Sequence, residues 1–231
     1  MMKKTTQICG HRGAMAVEPE NTLRSFRAAI DAGVEWIEFD IQLSMDKVLI
    51  VIHDPTIDRT TDGKGNVSDY GVIELKQFDA GKGEKLLTLE ELFKFMKSNS
   101  VKMQIELKAK NAEKAVVALI EKYNYLDRVI IISFWHEFLV RCKLVNPKVK
   151  TGCLLASRPI DLLHVLSTAK AEYLSIAENM VDKNLIELMH KNGKKVICWT
   201  INDSAHAKEK LKTGVDILCT NNPKRIIEAL K

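Results

Sequence analysis

Apolar, β-branched runs alternate with helix-period segments from one end of the chain to the other. Eight short runs predict strands at 7–10, 36–43, 103–107, 129–134, 151–155, 173–176, 196–200 and 217–220. A ninth, 48–53, follows the second after only a few residues. Between them, Leu23, Phe26 and Ile30 recur at helical spacing, with Asn21 read as the N-cap and Gly33 just past the end. Thr88 and Glu91 form a capping box ahead of Leu89, Leu92, Phe93 and Met96. Further helical periods cover 111–122, 136–145, 160–169, 181–191 and 203–212, and a last one near 223–230 opens on Pro223, a first-turn residue.

Eight strands, each followed by a helix, predict an α/β TIM (β/α)8 barrel, with a doubly wound open sheet as the alternative. Both the GxGxxG fingerprint and the P-loop that many open-sheet nucleotide binders carry are missing from the sequence. The segment 54–87 breaks the alternation. It holds five glycines, several Thr, Asp and Asn residues, and one short helical stretch near 72–78. A connection this long is expected to be functional or mobile. It reads as an inserted segment after the second strand, overhanging the barrel mouth. With that insertion, 1–231 reads as one TIM-barrel domain.

Composition narrows the partners. The net charge is +5, from 35 Lys and Arg scattered among 30 Asp and Glu, and aromatics are only 6%. Nucleic-acid binding would call for a dense basic stripe with stacking rings, so no nucleic acid is expected, and the small excess fits a phosphorylated ligand. No apolar run approaches the roughly 20 residues of a membrane span, so no stable membrane insertion is expected. The start, Met1 to Gln7, has two lysines without an apolar stretch behind them, which argues against a secretory signal and for a cytoplasmic location. Cys9, Cys142, Cys153, Cys198 and Cys219 show no metal-ligand spacing and read as reduced packing thiols.

A barrel of this kind keeps its chemistry at the C-terminal ends of the strands. Polar residues stranded in apolar runs fall there. The first strand runs into His11-Arg12-Gly13, the second carries Glu38 and Asp40, the third carries Glu106 and Lys108, and the seventh ends at Trp199. By the period of two, Glu38, Asp40 and Gln42 share one face and Ile37, Phe39, Ile41 and Leu43 the other, which packs under helices. Gln104, Glu106 and Lys108 likewise face inward. Three carboxylates in a half-buried mouth would repel one another. Either a divalent cation such as Mg²⁺ or Ca²⁺ holds them together, or Arg12 and Lys108 neutralise them as an ion-pair network.

The short turn at 44–47 implies an antiparallel hairpin. Centred between Asp46 and Lys47, it sets Asp40 opposite His53. His11 and His53 then converge on one mouth and suit acid–base work near neutral pH. Asp54 either orients an imidazole or caps the following turn. Arg12 and Lys108 add positive charge suited to phosphoryl chemistry. Trp199 is either an apolar wall for a ligand or a core residue, and its strand-end position favours the wall.

Taken in order, His11-Arg12-Gly13, Pro19-Glu20-Asn21-Thr22, Glu38-x-Asp40, His53-Asp54-Pro55, Asp58-Arg59-Thr60-Thr61-Asp62-Gly63, Ile105-Glu106-Leu107-Lys108, Ile132-Ser133-Phe134 and Trp199-Thr200-Ile201-Asn202 resemble the glycerophosphodiester phosphodiesterase family over nearly the whole chain. The resemblance implies a TIM barrel that hydrolyses glycerophosphodiesters to glycerol 3-phosphate and an alcohol. It implies His11 and His53 as the acid–base pair, Glu38, Asp40 and Glu106 as metal ligands, and Arg12 and Lys108 on the phosphate. It further implies attack by the glycerol 2-hydroxyl on phosphorus, with water then opening the cyclic phosphate. Asn221 stands where the family often has an acidic residue. A lysophospholipase D-like enzyme and a non-catalytic phosphate-ligand binder on the same fold are the alternatives.

Overall fold

The strand that opens the chain pairs on both of its edges. In a computed structural model describing residues 6–231, β1 (Gln7–His11) lies parallel to both β2 (Trp36–Leu43) and the last strand, β10 (Ile217–Thr220). Met1–Thr5, on which the reading of the N-terminus rested, lie outside the described residues. An open doubly wound sheet would leave β1 or a neighbour with a free edge, so this double pairing selects the closed barrel. Round the ring follow β5 (Lys102–Leu107), β6 (Val129–Ser133), β7 (Lys150–Leu155), β8 (Tyr173–Ala177) and β9 (Lys195–Trp199), all parallel. Two short strands, β3 (Leu49–Val51) and β4 (Leu87–Thr88), extend β2 antiparallel outside the ring.

The helices between strands are α1 (Leu23–Ala32), α3 (Leu89–Phe95), α4 (Glu113–Lys122), α5 (His136–Val145), α6 (Leu162–Thr168), α7 (Lys183–Lys191), α8 (Ser204–Thr213) and α9 (Pro223–Leu230); the short α2 (Val72–Leu75) belongs to the insertion. Strand alternation divides the apolar residues into two layers. Ile37, Phe39, Ile41, Met103, Ile105 and Leu107 are fully buried among helix residues such as Phe26, Leu89, Leu92 and Phe93. Cys9, Trp36, Ile130, Ile132, Leu154, Tyr173 and Ile197 fill the barrel interior. Each fully buried Ile or Phe is worth about 1.5–3 kcal/mol, so a misfaced strand would be costly.

Two local expectations are corrected. The N-cap of α1 is Thr22, with extended backbone and a side chain accepting from Ser25 N. Asn21 instead takes a left-handed conformation (φ 58°) and turns its side chain into the mouth. The hairpin is out by one residue: Ile41 pairs with Val51, so Asp40 faces Ile52 rather than His53. The cause is a three-residue loop, Met45–Lys47, closed by Lys47 at φ 63° and by Ser44, whose Oγ accepts from Val48 N at 2.9 Å. The chain still returns to the same level, and Gln42 Nε2 donates to the His53 carbonyl at 3.2 Å.

The insertion packs an apolar centre against the hairpin, with Ile57, Val67, Leu75, Ala80 and Leu86 joined by Ile50 and Ile52. Its helix α2 is shorter than the predicted stretch, and a 3₁₀ turn at Val67–Asp69 had no signal in the periodicity. Gly33 ends α1 at φ 94°, as its position predicts.

Thr22→Ala should lower the unfolding free energy by about 1 kcal/mol in a denaturant titration, the usual cost of removing a cap. An unchanged midpoint would return the cap to Asn21.

Candidate active site at the barrel mouth

The first loop is shaped by its glycine. His11 ends β1, and Arg12 (φ 51°) and Gly13 (φ 82°) reverse the chain in the left-handed region. A Cβ on Gly13 would lie 2.5 Å from Ser25 Oγ and 2.6 Å from the Ser25 backbone, so only glycine fits. Ser25 Oγ donates to the Arg12 carbonyl and accepts from Ala14 N, both at 2.8 Å, which locks the turn. This is the physical content of His-Arg-Gly: the turn leaves the imidazole and the guanidinium together at the mouth.

Register places the carboxylates. His11 lies beside Glu38, and Asp40 beside Glu106. Glu38, Asp40 and Glu106 are all buried, and one oxygen from each lies within 4.8 Å of the others. Both cations proposed to neutralise them are present. Arg12 Nε is 3.4 Å from Asp40 Oδ2, and Lys108 Nζ is 3.5 Å from Asp40 Oδ1 and 2.7 Å from Glu106 Oε1. Asn21 Nδ2 donates to Asp40 Oδ2 at 3.0 Å. Among the described residues, Glu38 meets only the Arg12 N–H at 3.0 Å and His11 Nε2 at 3.8 Å.

Two cations therefore face three carboxylates, and the proton affinities divide accordingly. Burial, then the charge of Asp40, pushes Glu38 well above the usual carboxylate range. The same two causes raise Glu106 to about 7 although Lys108 opposes them. For Asp40 burial also acts upward, but Lys108 and Arg12 outweigh it and hold the group below its ordinary value. Asp40 Oδ1 is buried with no hydrogen-bond partner among the described residues. An oxygen-only set with such an oxygen and surplus negative charge suits a hard divalent cation.

The histidines come from separate segments, His11 from the end of β1 and His53 from just past β3. His11 Nδ1 is 2.7 Å from Asn221 Oδ1, which makes Nδ1 the protonated nitrogen and leaves Nε2 facing the carboxylates. Burial and then Arg12 lower the His11 pKa. The His53 ring bonds Asp54, Nδ1 to Oδ1 at 2.5 Å, which resolves Asp54 as the residue that orients the imidazole. Hydrogen bonding from Arg59, followed by that from His53, drives Asp54 far below its ordinary pKa.

His11, Arg12, Glu38, His53, Glu106, Lys108 and Trp199 all line one cavity of about 250 Å³, and Asp40 is buried beside them. Its other wall is apolar. Trp199 packs edge-to-face against Phe134 at 5.8 Å, with Ile132, Leu154 and Ile197 below. Trp199 thus stands in the cavity wall at the end of its strand. Several residues of the mouth were not singled out from the sequence. Asn21 looked like a cap, Asn221 like a departure from a motif, Glu20 like a structural residue or one bonding near the site, and Arg59 like part of the turns and ion pairs that shape the insertion. Only their place in motifs gave a signal, because Asn21 meets Asp40, Arg59 meets Glu20 and Asn221 meets His11 across 19, 39 and 210 positions. The cysteines are free and buried as expected, but Cys219 reaches the cavity wall, with Cys9 beside it on β1.

The class that this fold and mouth define is a phosphodiester-cleaving barrel enzyme. Residues 11–225 match the Glycerophosphoryl diester phosphodiesterase family, and the chain belongs to that family. It is 34% identical to a glycerophosphodiester phosphodiesterase of Caldanaerobacter subterraneus subsp. tengcongensis over 98% of each chain. It is 32% identical to one from Bacillus altitudinis over 96% of this chain and 97% of the other. A phosphodiesterase from Oleispira antarctica, solved in complex with the product sn-glycerol-3-phosphate, superposes with a TM-score of 0.91 at 28% identity, covering 98% of this chain and 97% of that one. The Agrobacterium tumefaciens glycerophosphodiester phosphodiesterase superposes at 0.87 with 27% identity, covering 98% and 100%.

Glu38→Gln should raise the thermal midpoint of the metal-free protein near pH 8 and change it much less near pH 5. A carboxyl whose pKa is raised on folding carries no penalty while the unfolded chain also holds its proton. The penalty grows as pH rises above the ordinary carboxylate range. Scanning fluorimetry in chelator at the two pH values checks this, and an equal shift at both would remove the ionic explanation.

Proposed function

We propose that this chain hydrolyses glycerophosphodiesters to glycerol 3-phosphate and an alcohol, with His11 and His53 as its acid–base pair. The observation that carries the reading is the convergence of two imidazoles, from different segments of the chain, on one cavity that also holds Arg12, Lys108 and the carboxylate cluster. Arg12 and Lys108 are the groups set to bind the phosphate oxygens, since each already sits within reach of the carboxylates at the cavity wall. One imidazole takes the proton of the glycerol 2-hydroxyl as that oxygen attacks phosphorus. The other gives a proton to the departing alcohol oxygen. Water then opens the cyclic phosphate with the roles reversed. Trp199 and Phe134 give the non-ionic part of the substrate an apolar surface.

Glu38, Asp40 and Glu106 would hold one divalent cation, Mg²⁺ or Ca²⁺. Bound there, the ion supplies charge stabilisation to the phosphoryl oxygens. Orientation of the imidazoles falls to Asn221 and Asp54. The partner is a small molecule, and no helix among the described residues is long and apolar enough to cross a membrane. Five free, buried thiols support a reducing, cytoplasmic setting.

Purified protein with Mg²⁺ or Ca²⁺ should release glycerol 3-phosphate from glycerophosphocholine. His11→Ala and His53→Ala should each lose about 10²–10⁴-fold in turnover with unchanged thermal stability. Near-normal turnover in either variant would sink the acid–base assignment. Binding of the diester without product would favour the non-catalytic reading, and a preference for lysophosphatidylcholine the lysophospholipase D-like one.

Chelator should abolish activity. Added cation should also raise the thermal midpoint more near pH 8 than near pH 5.5, because a proton on Glu106, whose pKa is raised to about 7, competes with the ion, as does one on Glu38, whose pKa is also raised. Full activity in excess chelator, or a shift independent of pH, would remove the metal from this cluster.

A further inference from the structure

Arg59 lies in the insertion, six residues past His53, and its side chain is 48% exposed. One guanidinium there serves two carboxylates. Nε and Nη2 donate to Asp54 at 2.7 and 3.2 Å, and Nη1 and Nη2 donate to Glu20 at 2.7 and 2.8 Å. Each carboxylate leads onward to a different part of the mouth. Asp54 is the only hydrogen-bond partner of the His53 ring among the described residues. Glu20 Oε1 accepts from Arg12 Nη1 at 2.9 Å, and Arg12 Nε is in turn 3.4 Å from Asp40.

We propose that Arg59 is a positioning residue that ties the His53 arm of the site to the Arg12 arm and so sets the distance between an acid–base group and the phosphate-binding cation. The inference rests on the functional reading above for the roles of His53 and Arg12, and the geometry of the brace stands apart from it. Without Arg59, Asp54 and Glu20 lose two donors each and face one another as like charges. His53 then keeps a partner that nothing holds still. Arg12 keeps a second anchor in Asp40, so the His53 side is the more dependent of the two. Only a planar fork reaches both carboxylates in pairs; a lysine ammonium is a single point of charge.

Arg59 is not what attaches the insertion to the barrel. The insertion packs an apolar centre against the hairpin, with Ile57, Val67 and Leu75 buried in it. It is clipped elsewhere as well, by Lys82 to Glu18 at 2.8 Å and by Glu84 to the Arg24 N–H in the first turn of α1 at 3.2 Å. Removing the brace should therefore loosen the site and leave the fold.

Arg59→Ala should lower kcat about 10–100-fold, the usual effect of removing a group that orients a catalytic side chain, with a smaller change in KM and an unchanged thermal midpoint. Guanidinium in solution should restore part of kcat, and ammonium should not. Arg59→Lys should stay low. Lys82→Ala, which cuts a different clip of the same insertion, should behave as wild type. The second readout needs no turnover. The His53 Nδ1 proton, identified in the NMR spectrum by its loss in His53→Gln, should be visible in the wild type, broadened away in Arg59→Ala and restored by guanidinium.

A wild-type kcat and an intact Nδ1 resonance in Arg59→Ala would overturn the proposal. So would a loss that guanidinium leaves unchanged and that Lys82→Ala reproduces, since that would be loss of the insertion's attachment. If the wild type turns over no glycerophosphodiester yet the resonance follows Arg59 and guanidinium, the brace stands and the functional reading falls.

Discussion

Like charge held at close quarters is the constraint around which the mouth is organised. Glu38, Asp40 and Glu106 present oxygens within 4.8 Å of one another in a buried setting. Water cannot screen them there, so their repulsion is far larger than at a surface. The sequence answers with two cations on either side of Asp40, which leaves Asp40 ionised and concentrates the unmet cost on Glu38 and Glu106. Arg12 can stand there only because Gly13 lets the chain double back, and Lys108 only because β5 is in register with β2. The neighbouring backbone is thus shaped by the need to bring positive charge to this point. A set of charges that destabilises the empty fold is well suited to stabilise an ion or a transition state, and functional sites commonly carry such a burden.

The two histidines show a second division of labour. Each has its Nδ1 tied, and so presents Nε2, but the tying groups differ. A neutral amide faces His11, and a carboxylate, itself gripped by an arginine, faces His53. The two rings are therefore held by unlike partners before any substrate arrives. The difference is supplied by residues far apart in the chain, Asn221 after the last strand and Asp54 with Arg59 in the insertion.

Most of the barrel was legible in the sequence because its signals are local. Period-two alternation gave both faces of β2 and β5, Thr88 and Glu91 gave the start of α3, and Gly33 gave the end of α1. Strand-end polar residues gave His11, Glu38, Asp40, His53, Glu106, Lys108 and Trp199, which the structure brings to one cavity or its wall. What stayed illegible depends on distance or on one backbone angle. Whether Asn21 or Thr22 caps α1 turns on a single left-handed residue, and both are good capping types. The hairpin register turns on whether the loop has two or three residues, which Lys47 decides by adopting a conformation unusual for lysine. Arg59 and Glu20 are 39 positions apart and carry no mutual signal.

The alternation of β2 has a consequence for how such a chain can change over time. Its even positions hold Glu38 and Asp40 toward the interior, and its odd positions hold Ile37, Phe39 and Ile41 under the helices. Chemistry and packing are written in the same strand, interleaved one residue at a time. Gaining or losing a single residue within β2 would exchange the two sets, burying carboxylates against helices and emptying the mouth of its charge in one event. Substitution can alter either set separately, but length cannot vary there at all. Room for insertions and deletions lies instead in the connections, and the segment between β3 and β4 is where this chain carries its extra residues.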